Sequence, residues 1–444
     1  MSDKLTYAQV NRDIMRPLFS PTMAWHGLMA LALLGLAIGG GCWAMQLVWG
    51  LGVAGYHPPV FWGVYITTFV FWIGIGHAGT LISAILFLTR SRWRTGIYRA
   101  AEAMTIFAVM TAALFPAIHV GRAWQAYWLF PYPNQRQLWQ NFKSPLMWDV
   151  FAVSTYFTVS TVFFFIGLVP DIAAVRDNTR GYTHKIYSVM ALGWRGTDRQ
   201  WRHYMAAYGF FAAIATPLVL SVHSVVSWDF AMADTPGWHS TLFPPYFVAG
   251  AIFSGCAMVI TLMLPLQKAF KLEAYIHTWH FEHLAKLCMF TGGILTYSYG
   301  CEYFIAWYSD NPYEWGTFSD RVVGKYWWVF GTMALCNCTI PLLWWFKKIR
   351  TSFMGLLLVS IVINIGMWFE RYNIIVTSLA HSYDPAAWVY YTPTYIEIGI
   401  LVGSFAWFFT WFLLFVKIMP AVAIAEIKET LRPPLKHDEE AAAK

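Results

Sequence analysis

Long apolar runs separated by short polar segments organise the whole chain. Ten runs reach the roughly 20 mostly apolar residues that a helix needs to cross a bilayer. They fall near 24–50, 60–89, 97–124, 147–170, 204–228, 245–267, 284–308, 326–346, 353–377 and 395–419. The pattern predicts an all-α polytopic membrane protein. Glu426 to Lys444 is charged and contains prolines, and reads as a polar tail.

The polar segments carry the orientation. With the N-terminus placed in the cytoplasm and the spans alternating, 24 of the 30 Lys and Arg residues fall on the cytoplasmic side. The other side keeps Arg122, Arg136, Lys143, Arg321, Lys325 and Arg371. A bias repeated at successive loops supports both the span count and cytoplasmic placement of the two termini. The expected location is the bacterial cytoplasmic (inner) membrane. The opposite-face loops, Trp124 to Trp148 and Ser309 to Trp328, are rich in aromatics and prolines and read as ordered docking surface.

A faint repeat adds a domain plan. Met147-Trp148-Asp149-Val150-Phe151 opens span four and Trp327-Trp328-Val329-Phe330 opens span eight, which sets Trp328 opposite Asp149. Spans two to five and six to nine are expected to form two four-helix bundles, with spans one and ten as flanking helices. The division is 1–59 for the N-terminal segment and span one, 60–230 for the first bundle, 231–380 for the second, and 381–444 for span ten and the tail.

Composition sharpens this picture. Hydrophobic residues make up 58% of the chain and charged residues 12%, about half the charged share of soluble domains, so lipid is the solvent. The net charge of +7 is dispersed in loop clusters, which argues against nucleic acid as a partner. No cleavable signal peptide is expected, because the first apolar run starts near Trp25, after Lys4, Arg12 and Arg16, and is too long for one. Cys42, Cys256, Cys288, Cys301, Cys336 and Cys338 lack the spacing of a zinc or cluster site. They read as packed thiols, with no metal or iron–sulfur cluster in this chain.

Ionisable groups inside spans are costly and mark candidate chemistry. His119 and Arg122 end span three one helical turn apart, so they should share a face, and Pro116 should kink the helix just before them. Asp149 opens span four; His223 and Asp229 close span five. Alternation of the spans brings these helix ends to one level near the outer surface. Oxidation of a quinol releases two electrons and two protons, and His beside carboxylates supplies the acceptors. His119 and Asp149 are expected to take the two hydroxyls, Asp229 to relay protons outward and Arg122 to hold Asp149 ionised. Singly, the aspartates also fit structural roles at helix ends.

His77, Glu302, Asn364 and Glu370, with Glu397, form either a proton path or satisfied contacts between helices. His26, His57, Glu282 and His283 lie near span ends and read as interfacial. Three other functional readings stay open: a b-type haem between His119 and His223, a transporter, which would need a charged site at the midplane, and a structural anchor.

The run Phe71-Trp72-Ile73-Gly74-Ile75-Gly76-His77-Ala78-Gly79-Thr80-Leu81-Ile82-Ser83 resembles the second span of the NrfD/PsrC-type quinone-interacting membrane subunits. Pro116 to Arg122 and Ser221 to Phe230 resemble that family too. Within it, the ten-span layout is most similar to the ActC-type subunits of alternative complex III; the ActF-type subunits share the architecture, and the acid–histidine cluster separates the two. The resemblance covers about residues 10 to 420. It implies a quinol:acceptor oxidoreductase subunit that uses menaquinol or ubiquinol and has no haem of its own. The implied partners are a periplasmic iron–sulfur subunit, a homologous membrane subunit, haem c subunits and membrane lipids. His119, Asp149 and Asp229 match the family's quinol-site residues, with Arg122 and His223 carried on weaker grounds. The family is also proposed to couple the reaction to proton movement.

Overall fold

The structure is a computed structural model describing residues 5–131, 137–138 and 142–431. Lys4, Arg136 and the tail beyond 431 lie outside the described residues.

Ten long helices follow the ten apolar runs. They are α1 (Met23–Trp49), α2 (Val64–Leu88), α3 (Tyr98–His119), α4 (Pro145–Asp177), α5 (Asp198–Ala231), α6 (Phe243–Ala269), α7 (Thr278–Tyr308), α8 (Trp327–Trp345), α9 (Phe353–Ala380) and α10 (Tyr395–Ile418). Among the described residues, nine of them are long and apolar enough to cross a membrane. The tenth, α7, has 31 residues, about 46 Å at 1.5 Å per residue, but carries Glu282, Lys286 and Glu302. No strand forms among the described residues beyond an isolated bridge between His57 and Val60.

Packing sets these helices in two groups. Helices α2, α3, α4 and α5 pack in a closed ring, α6, α7, α8 and α9 form a second, and α2 joins the two through α6 and α9. That position explains why α2 is buried along almost its whole length. The glycines of its sequence motif make the close approach possible. A Cβ on Gly79 would lie 2.0 Å from the Ala101 carbonyl, and one on Gly255 of α6 would lie 2.4 Å from the Ala78 Cβ. Helices α1 and α10 pair with each other, and α10 leans on α3. At their crossing a Cβ on Gly39 would sit 2.4 Å from the Cα of Gly403. α1 also exposes Leu28, Leu31, Leu33 and Leu34, apolar surface that suits a bilayer.

Prolines and π turns interrupt several spans. α3 breaks after Ala112 and resumes at Leu114, where the ring of Pro116 denies Ala112 its i→i+4 partner. π-helical turns occur at Leu81–Ile85 in α2 and Leu335–Thr339 in α8.

The N-terminal segment is more ordered than a polar lead-in suggests. Tyr7–Phe19 is a helix that buries Val10, Ile14, Met15 and Leu18 on one stripe and packs on α10 and the short helix Ile424–Thr430. A charged network anchors that short helix to the first bundle. Arg94 pairs with Glu426 at 2.9 Å, and Arg99 bridges Glu102 at 2.9 Å and Asp171 at 3.1 Å. The Ala425 amide donates to Asp171 at 3.0 Å.

Two positives assigned to the outer face are buried, Arg371 within α9 and Arg321 on the helix Pro312–Val323 between α7 and α8. Arg371 is 1% exposed inside α9 and Arg321 is 2% exposed. Arg371 pairs with Glu370 at 2.8 Å, and Arg321 donates to Thr377 at 2.8 Å. Removing Arg371 from the loop tally leaves the charge bias steeper.

Candidate functional site

Asp149 is the fifth residue of α4 and Asp229 the third from the end of α5. The two helices are neighbours running in opposite directions, so these positions come to the same end. The two carboxyl groups lie close enough to interact with each other. Two carboxylates brought that close repel each other unless one takes up a proton. Asp149 is 8% exposed, and the Oδ1 atom of each aspartate is buried without a hydrogen-bond partner among the described residues. Each aspartate therefore keeps acceptor capacity.

Beside it, Trp148 and Trp228 meet edge to face at 5.7 Å, and the Trp148 indole donates to the Phe142 carbonyl at 2.7 Å. A groove of about 290 Å³ runs down the α4–α5 seam below Trp148, lined by Phe151, Ala152, Leu218 and Val222. It is narrow, apolar and on the outer surface of the bundle, so it faces lipid.

His119 lies at the same end of the bundle but in different company. Its Nδ1 is 3.5 Å from the Tyr56 hydroxyl, and the two rings meet edge to face. Tyr56 stacks on Tyr391, whose hydroxyl donates to the buried Glu397; Glu397 also accepts from the Gly55 amide at 2.8 Å. On the other flank the Tyr65 hydroxyl donates to Gln46 at 2.5 Å, and Gln46 donates to the Ile118 carbonyl at 2.8 Å. Among the described residues no hydrogen bond or ion pair joins His119 to either aspartate. His119 is held from the α1–α10 side and the aspartates from the α4–α5 side.

Arg122 corrects an expectation. It does not share a helical face with His119, because α3 ends at His119 and Gly121, with φ +78°, turns the chain away. The Arg122 side chain is exposed, and the partner of Asp149 is Asp229 rather than a guanidinium.

His223 is fully buried and also lies apart from the aspartates, six residues back along α5. Its ring is 4.4 Å from that of His77, and neither of its nitrogens has a hydrogen-bond partner among the described residues. His77 is fixed by its Nδ1 on the Ile73 carbonyl at 2.7 Å and stacks on Tyr156. The Tyr156 hydroxyl reaches Thr80 at 2.9 Å and the Gly76 carbonyl at 2.8 Å. His119 and His223 thus have separate neighbours.

The remaining intramembrane groups lie in the second bundle. Glu370 is fully buried against Arg371, with Tyr246 and Tyr299 around it. Arg371 caps the Phe247 ring at 4.3 Å, and Phe247 in turn touches His223. Glu302 forms part of the wall of a 250 Å³ cavity with His239, Asn311 and Glu314. Asn364 donates back to Ser360 at 2.9 Å, a contact within its own helix.

Residue-level reading of the sequence missed Gln46, Tyr56, Tyr65 and Tyr391 around His119, and Glu102 and Asp171 at the opposite end. Glu102 was open to detection as a carboxylate inside span three. The tyrosines were not, since 24 tyrosines give no reason to single out these.

Comparison with known proteins places this geometry in a family. The chain is 27% identical over 266 residues to a protein of Halobacterium salinarum provisionally described as a membrane subunit of dimethyl sulfoxide reductase. That alignment covers 60% of this chain and 56% of the relative's length, so the match spans little more than half of that protein. A second relative, a selenate reductase subunit of Mesobacillus selenatarsenatis, is 22% identical over 363 residues, covering 77% of this chain and 82% of its own. The model of the NrfD polysulphide reductase family matches residues 46–381, from the end of α1 through α9. The chain belongs to the NrfD polysulphide reductase family.

Proposed function

We propose that the chain is the quinol-oxidising membrane subunit of an electron-transfer complex, of the alternative complex III type. The observation that carries this reading is the buried Asp149–Asp229 carboxyl pair, with Trp148, the residue before Asp149, lining a surface groove along α4 and α5. Quinol partitions in the bilayer and reaches such a seam without crossing water. Its ring enters between α4 and α5 under Trp148, and its isoprenoid tail stays among the apolar side chains of the seam and the lipid beyond. One hydroxyl proton passes to the carboxyl pair. The second passes to His119, whose imidazole is backed by Tyr56. Two electrons leave for an iron–sulfur cluster in a partner protein and from there to haem c subunits, and quinone returns to the lipid. The protons leave by Asp229 on the same side.

The names of both relatives, subunits of reductases for dimethyl sulfoxide and selenate, fit a chain that exchanges electrons between the quinone pool and a partner. The outward end offers a docking surface in Trp124 and Phe130, which are 64% and 58% exposed. The orientation that suits this scheme is the one the loop charges favour, with both termini in the cytoplasm of a bacterial inner membrane. His77, Glu302 and Glu370 are the groups through which protons would be translocated, if the reaction is coupled.

Steady-state quinol oxidation by the assembled complex tests the proposal. Asp149→Asn and Asp229→Asn each remove a proton acceptor, and turnover should fall roughly 100-fold or more, with assembly intact. Native turnover in both variants would leave the structural-anchor reading in place.

A further inference from the structure

A second and larger groove lies away from the carboxyl pair. It encloses about 540 Å³ and is bounded by Trp25, Leu28 and Leu34 of α1, Leu266 of α6, and Phe409 and Leu413 of α10. Its walls are almost wholly hydrocarbon, so the quinol chemistry has no acceptor there. It ends where α1 begins and where α6 and α10 finish, at Thr22, Phe270 and Val416. This is the end of the molecule occupied by the helix Tyr7–Phe19.

Two cations stand at that rim. Arg16 donates to the carbonyl of Phe270, itself a wall residue of the groove. Lys417 follows Val416 and donates to the carbonyl of Leu18 at 2.6 Å. Both contacts are to neutral backbone, and among the described residues no ion pair engages either cation. Of the nearby acids, Glu273 lies 3.4 Å from Lys268, and Asp13, three residues before Arg16, accepts from the Tyr275 hydroxyl at 3.0 Å and makes no ion pair with either cation among the described residues. A guanidinium has five N–H donors and an ammonium three, so both keep donors free. Trp25 completes the rim with its indole on the Leu413 carbonyl at 3.0 Å, as an interfacial tryptophan does.

An apolar slot ending in two cations, neither held in an ion pair among the described residues, is complementary to an amphiphile with an anionic head. We propose that this groove binds an anionic diacyl phospholipid, one acyl chain lying between α1, α6 and α10 and the phosphate meeting Arg16 and Lys417. A quinone would fill the slot but has no charge to set against the cations. The lipid would add to the contacts that hold the helix Tyr7–Phe19 against the ends of α6 and α10.

The test uses the full-length protein in detergent, exchanged against equal phosphatidylglycerol and phosphatidylcholine, with retained lipid measured by mass spectrometry. Phosphatidylglycerol should be retained several-fold over phosphatidylcholine. The double substitution Arg16→Gln, Lys417→Gln should abolish the preference. Because those side chains also hold the N-terminal helix, Leu28→Trp serves as a second probe: it narrows the slot, leaves both cations in place, and should lower retention of phosphatidylglycerol. Equal retention of the two lipids by the native chain would overturn the proposal. So would a preference that survives both sets of substitutions, or displacement of the lipid by added quinone.

Discussion

At the scale of single residues, the site depends on how a few polar groups are left incompletely partnered. Asp149 and Asp229 lie close together and keep buried oxygens open. His119 has one long contact, to Tyr56. Tyr56→Phe removes only that hydrogen bond, worth about 1 kcal/mol, so turnover should drop several-fold. His119→Ala removes the acceptor itself and should cost roughly 100-fold. Equal losses in the two variants would show that His119 acts through Tyr56 alone. The sequence identified His119, Asp149 and Asp229 because an ionisable group in a span is conspicuous. It did not reveal that His119 is held from a different side, since a side chain's neighbours depend on how the helices are rotated against each other. The pairing of His223 with His77 was hidden for the same reason.

At the scale of elements, glycine and proline decide where the helices stop, bend and touch. Pro116 was legible as a kink because its missing N–H acts locally. The end of α3 at His119 was less so: Gly121 marks it, but the apolar run continues to Trp124, and the assumption of a continuing helix placed Arg122 on the wrong face. The contact between α1 and α10 is also a glycine effect. Gly403→Leu would drive a side chain into the Gly39 backbone, where even a Cβ would lie 2.6 Å from the Gly39 Cα. Overpacking of this kind costs about 1–3 kcal/mol. The variant should unfold at a lower temperature in detergent, while the folded fraction oxidises quinol at the native rate. A native melting temperature would show that the α1–α10 pair separates freely.

At the scale of the whole molecule, the number and order of spans were readable from hydropathy because hydrocarbon thickness sets a fixed helix length. The two rings of four helices were visible only as a faint likeness between spans four and eight, since in lipid a helix's sequence says little about which neighbours it meets. The amphipathic helix Tyr7–Phe19 escaped notice because its apolar stripe is too short for a span-length pattern to register. The buried cluster around Arg99 escaped because Arg99 was counted as a loop charge. The orientation proposed from the loop charges can be checked directly. Cysteines introduced singly at Ser309 and Thr179 should differ in intact cells, the first reacting with an impermeant maleimide and the second only after lysis. The reverse pattern would invert the molecule and move the carboxyl pair to the cytoplasmic side.

The most direct measurement is to find where quinone sits. A photoreactive azidoquinone irradiated in membranes containing the complex should label peptides from the start of α4 and the end of α5, around Trp148 and Val222, and excess quinol should suppress the label. Labelling confined to the groove between α1, α6 and α10, or spread evenly over lipid-facing helices, would contradict a quinol site at Asp149 and Asp229.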